Sequence, residues 1–137
     1  MNYLYWLALG LVLGGALIAF SRSLGHSSEK KVLAIALIVA AGIYVIFALI
    51  AKDPMWSVIE LTGIPIYGFF IWLSLKYSFY WLSMGWATHP LWDIFLHLTG
   101  PGQSIAPKWY AVGCISFDLL VAIYIAFRFS TFKTSWR

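Results

Sequence analysis

Residues 71–82 read IWLSLKYSFYWL. This stretch decides how often the chain crosses a membrane. It lies inside a largely apolar run from 56 to 98, in which Lys76 is the only lysine or arginine. A single helix over that run would measure about 65 Å at ~1.5 Å per residue, roughly twice the hydrocarbon core of a bilayer. The chain must therefore turn, and KYS at 76–78 is the expected place. A kinked or re-entrant arrangement is the alternative. The run then divides into two spans, 56–75 and 79–98.

Three further apolar segments flank this pair, at 3–20, 32–51 and 109–127. The linkers are short: SRSLGHSSEKK, KDPM, KYS and TGPGQSIAPK. The expected fold is all-α, an integral membrane bundle of five transmembrane helices, with residues 1–137 forming a single transmembrane domain. Composition points the same way. The chain is 62% hydrophobic and 10% charged, against about 25% charged in soluble domains. A soluble core of this size could not hide so much apolar surface. The first segment lacks a basic region before it and a small-residue cleavage site after it, so it is expected to be a retained helix and not a signal peptide.

Five spans sort the basic residues by side. One side holds Arg22, Lys30, Lys31, Lys76, Arg128, Lys133 and Arg137; the other holds Lys52 and Lys108. The positive-inside rule then predicts an external N-terminus and a cytoplasmic C-terminus (N-out/C-in). Trp56, Trp109 and Tyr110 fall at span ends, where interfacial aromatics belong. The formal charge of +4 is scattered over short loops, so no nucleic-acid partner is expected. The single cysteine, Cys114, excludes an intramolecular disulfide and reads as a packing residue.

Gly10, Gly14 and Gly15 have the spacing of close helix packing, within the chain or between copies, and leave a homodimer open. Gly63, Pro65 and Gly68 should weaken or kink the third helix. Pro90 should do the same to the fourth, freeing a carbonyl one turn earlier.

The chain has five acidic residues. Glu29 and Asp53 are expected in loops, whereas Glu60, Asp93 and Asp118 fall inside spans. An ionised acid at mid-membrane costs about 2.5–3.5 kcal/mol on insertion scales. No lysine or arginine is expected within a span to offset it. The potential cations there are His89 and His97, in GWATHPLWDIFLH at 85–97. His89, Asp93 and His97 are four residues apart and share one helix face.

Depths follow from the span directions. Glu60 and Asp93 should lie about 6–7 Å below the external surface, His89 and Asp118 about 13 Å, with His97 at the rim. Three helices adjacent in sequence can thus converge on one polar pocket in the external half of the bilayer. Imidazole and carboxylate ligands suit zinc or iron(II). The candidate metal ligands are His89, Asp93, Glu60, Asp118 and His97. His89 and His97 stand about 12 Å apart along a straight helix and cannot share one ion, whereas His89–Asp93 or Asp93–His97 can pair. Without metal, the candidate catalytic residues His89, Asp93, Glu60 and Asp118 can act as general acids and bases or as a proton relay. Trp86 and Trp92 either shield the pocket or fill helix contacts.

GWATHPLWDIFLH, with Glu60 upstream and Asp118 downstream, resembles the signature of a family of small bacterial integral membrane proteins of unknown function. That resemblance implies a multi-pass protein of the bacterial inner membrane and carries no activity. The five spans, with an acid one turn after a histidine, are also similar in architecture to the emopamil-binding sterol isomerases. This second likeness implies only acid–base chemistry on an apolar substrate.

The leading expectation is a pocket for hydrolase or isomerase chemistry on a lipid or isoprenoid, acid–base or metal-assisted. One rival is a small proton- or cation-coupled transporter, weakened because the cytoplasmic halves of the helices offer little beyond Ser74, Ser83 and Tyr124. The other is a structural subunit of a larger membrane complex, with the polar cluster as glue. The expected partners are membrane lipids, with a homodimer or larger complex left open.

Overall fold

A computed structural model describes residues 2–129 of the chain. Lys133 and Arg137, two of the basic residues used to orient the spans, lie outside the described residues. The order of elements is α1 (Tyr3–Ser23), α2 (His26–Ile50), α3 (Pro54–Leu61), α4 (Gly63–Lys76), α5 (Tyr80–Trp92), a π-helical segment (Asp93–Leu98) and α6 (Lys108–Arg128). No strand occurs among the described residues. α3 runs on into α4, and α5 into the π segment, so the chain forms five helical rods. Four are long and apolar enough to cross a membrane: Tyr3–Ser23, His26–Ile50, Pro54–Lys76 and Lys108–Arg128. The remaining rod, divided between α5 and the π segment, carries His89, Asp93 and His97.

Local chemistry sets the joints. The chain does turn after Lys76: α4 ends there, and Ser78 Oγ accepts from the Tyr80 amide as α5 begins. KDPM starts α3, with Asp53 accepting from the Trp56 amide at 3.1 Å and Pro54 in the first turn, where a missing N–H is harmless. The third rod breaks at Thr62, directly before Gly63. In the fourth rod Pro90 denies the Trp86 carbonyl its usual donor. The helix widens to the π form from Asp93.

The linker between the first two rods is shorter than expected. α2 begins at His26, after Gly25 at φ +94°, a conformation open to glycine. Glu29 is therefore helical and buried, not in a loop. Its carboxylate accepts from the Tyr124 hydroxyl and lies 3.6 Å from Arg128 Nη2. Lys30 is likewise inside α2, with its ammonium 4.3 Å from the Phe79 ring centroid. So Lys30 and Lys31 both lie inside the span-length helix His26–Ile50, close to its start. These contacts gather the ends of α1 and α6, the start of α2 and the α4–α5 turn at one pole. Lys52 and Lys108 belong to the opposite pole.

The main core joins α2, α5 and α6 through Leu33, Leu37, Leu82, Trp86, Val121 and Ile125. Trp86 fills that core and donates Nε1–H to the Leu33 carbonyl at 3.2 Å, which satisfies a buried indole. α1 packs on α6. A Cβ on Gly10 would fall 2.1 Å from the Gly113 carbonyl oxygen, and Gly14 faces Phe117 and Leu120. These two glycines are used inside the chain. A Cβ on Gly15 would meet nothing within 4 Å among the described residues. The outer faces of the rods remain apolar and exposed, as at Leu4, Ile50, Phe69 and Phe127, which suits a lipid solvent.

Candidate functional site

All five polar residues singled out within the expected spans are fully or almost fully buried: Glu60, His89, Asp93, His97 and Asp118. They form two histidine–acid groups. In the first, His89 Nδ1 lies 2.7 Å from Asp118 Oδ2 and 3.8 Å from Asp93 Oδ2. α5 supplies the histidine, the start of the π segment supplies Asp93, and α6 supplies Asp118. The i,i+4 relation of His89 and Asp93 holds, and the equal depth expected of His89 and Asp118 becomes a hydrogen bond.

In the second group His97 Nε2 lies 2.8 Å from Glu60 Oε1. Glu60 Oε2 accepts from Trp92 Nε1–H at 2.9 Å. His97 Nδ1 faces the Gly102 carbonyl at 3.0 Å, so that nitrogen carries a proton as donor. A further proton must then sit between Nε2 and Glu60, on one or the other, for the 2.8 Å approach to be attractive. His97 stands one residue before the end of the π segment and is nevertheless fully buried. The loop after the π segment folds back over it, and Gly100 and Gly102 lie so close to Phe95 and Leu96 that a Cβ on either would collide with their carbonyl oxygens. Asp93 and His97, a candidate pair by spacing, each find another partner.

Tyr44 of α2 connects the groups. Its hydroxyl donates to Asp93 Oδ1. Its ring stacks on His97, with centroids 4.3 Å apart and planes 5° from parallel. Tyr67 of α4 packs edge-on against His89, with ring centroids 4.9 Å apart. Neither tyrosine was expected in the site. Tyr44 did carry a signal, because it is the only hydroxyl in the span 32–51 and a buried phenol seeks a partner.

The first group leaves polar atoms spare. Among the described residues, His89 Nε2, Asp93 Oδ2 and Asp118 Oδ1 are buried without a hydrogen-bond partner. His89, Asp93 and Asp118 each present one ligand atom, all within 4.8 Å of one another. Ligands about 2.1 Å from a tetrahedral ion lie about 3.4 Å apart. That falls between the two distances from His89 Nδ1 to the carboxylates. Glu60 and His97 are outside this group of three. Charge adds a constraint. Were all three carboxylates ionised, two protonated imidazoles would still leave one negative charge uncompensated. Such a charge in an apolar interior needs a proton or a cation.

A family model matches residues 5–131, nearly the whole described chain, and its description is a family of unknown function, DUF6010. The chain belongs to the DUF6010 family. The match includes every residue of both histidine–acid groups. No curated protein and no solved structure matches this DUF6010 chain. The family's description assigns no activity, and the comparisons do not support a likeness to the emopamil-binding sterol isomerases.

Proposed function

We propose that this DUF6010 protein is a membrane-embedded enzyme of hydrolase or isomerase type acting on a lipid or isoprenoid. His89, Asp93 and Asp118 form its reacting centre and hold a divalent zinc or iron(II) ion. The observation that carries this reading is the group of three buried ligand atoms within 4.8 Å. One imidazole and two carboxylates match a catalytic ion with three protein ligands and an open position. The ion would supply Lewis acidity toward a substrate oxygen. Tyr44 holds Asp93 in place, as outer partners of ligating carboxylates do. Glu60 and His97 share a proton one layer away and can give or take it during turnover.

Simple helix glue explains less. Interhelical polar contacts contribute about 0.6 kcal/mol each on average, and glue does not call for three ligand atoms from two helices and a π segment to converge within 4.8 Å. The pole with most lysine and arginine faces the cytoplasm under the positive-inside rule, which puts the centre in the external half of the membrane.

The test is to incubate the protein in nanodiscs with a total bacterial lipid extract and compare lipid profiles by mass spectrometry. Wild type should convert at least one lipid or isoprenoid species, and His89→Ala and Asp118→Ala should not. Identical profiles for folded wild type and both variants, with zinc or iron(II) supplied, would remove the enzymatic reading.

A further inference from the structure

A cavity of about 450 Å³ lies between α1, α2 and α6, within the usual ~300–1,000 Å³ range of ligand pockets. Its lining runs along α1 from Trp6 to Leu17 and along α2 from Val32 to Ile43. At ~1.5 Å per residue each wall is about 16 Å long. Leu9, Leu13, Ile35 and Val39 line it and are exposed on the outer surface of the bundle, so the cavity opens sideways. One acidic residue lines this otherwise apolar space, and it is Asp118. Asp118 has no exposed surface, and its Oδ1 has no partner.

We propose that this groove holds the single hydrocarbon chain of a lipid that enters from the bilayer between α1 and α2 and places a hydroxyl at Asp118. The inference deepens the proposed function and rests on it for the chemistry that follows binding. The chain is specified by the walls. They are apolar, elongated and narrow, because α1 is drawn onto α6 at Gly10 and Gly14 while α2 stands off. The head is specified by Asp118. Its spare carboxylate oxygen accepts a hydrogen bond, so a hydroxyl, which donates one, is welcomed, whereas an ionised fatty carboxylate has no hydrogen to offer it. A hydroxyl oxygen there also lies beside the His89–Asp93–Asp118 centre.

The experiment uses the full chain in phosphatidylcholine–phosphatidylglycerol nanodiscs. The probe is a long-chain primary alcohol with a diazirine in its chain, and the matching fatty acid is the counter-probe. After photolysis, labelled peptides are mapped by mass spectrometry. The expected labels fall on the groove walls around Leu13, Ala36 and Val39, and excess unlabelled alcohol suppresses them. Ala36→Phe or, if that variant folds poorly, Val39→Trp at the rim should cut labelling about tenfold, a change of ~1.4 kcal/mol in binding. Asp118→Asn should remove most of the alcohol's advantage over the acid.

Labelling spread evenly over outer faces such as Phe69 and Phe127, and indifferent to competitor, would overturn the groove. Labelling by the acid as strong as by the alcohol would overturn the head-group assignment. Metal content of the same wild-type sample separates the two proposals. Metal without groove labelling removes the groove alone. Groove labelling without metal removes the metal centre and leaves the groove standing.

Discussion

Tyr44→Phe is the most informative single change to the packing of the site. It deletes one oxygen and keeps the ring, whose stacking on His97 needs no hydroxyl. No cavity opens, so the effect isolates the hydrogen bond to Asp93. Asp93 Oδ2 has no hydrogen-bond partner even in the intact protein. After the substitution Oδ1 loses its tyrosine donor as well, and His89 at 3.8 Å is too far to replace it. A hydrogen bond to a charged group contributes about 1.5–3 kcal/mol, so the variant should lose about 2 kcal/mol. Equilibrium unfolding in mixed micelles, followed by tryptophan fluorescence, measures this. Repeating the change in an Asp93→Asn background should lose only about 1 kcal/mol, because the partner is then neutral. The difference is a coupling of about 1 kcal/mol. A loss below about 0.5 kcal/mol, the range of an uninvolved surface position, with additive effects in the double variant, would refute the Tyr44–Asp93 link.

Other consequences can be checked the same way. Gly10→Ala forces α1 away from the Gly113 carbonyl and should lose about 1–3 kcal/mol by overpacking; Gly15→Ala, with open space around it, should stay within about 0.5 kcal/mol of wild type. Glu60→Ala strands His97 Nε2 and Trp92 Nε1 in the interior, at about 1–3 kcal/mol for each orphaned group, so its unfolding free energy should fall by more than that of Tyr44→Phe. Chelator treatment should lower the unfolding midpoint of wild type, and zinc or iron(II) at a hundred times its dissociation constant should restore about 2.7 kcal/mol. His89→Ala should show neither shift.

The rods and the site were legible in the sequence to different degrees. Apolar length and Lys76 were enough to place five helices and the turn at KYS, because membrane span length is fixed by the bilayer. Pairing within one rod, as for His89 and Asp93, follows from helical spacing alone. Partners from distant parts of the chain do not. HSSEKK looks like a loop because it is polar, yet it winds into α2, where Glu29 meets Tyr124 and Arg128 from α6. Tyr44 enters the site because its long side chain reaches from α2 to Asp93 and His97 of the π segment, and spacing within α2 cannot reveal that. His97 stands at the end of its helical segment, and a count of depth along the helix cannot show that it is covered. The loop that buries it depends on close backbone approach at Gly100 and Gly102.

The central claim is that His89, Asp93 and Asp118 hold a metal ion. It is tested most directly by the metal content of the protein purified in mild detergent, measured by inductively coupled plasma mass spectrometry beside Asp93→Ala. The expected result is near-stoichiometric zinc or iron in wild type and its loss in the folded variant. A well-folded wild type that stays metal-free after incubation with either ion would contradict the claim, and the two histidine–acid groups would then handle protons alone.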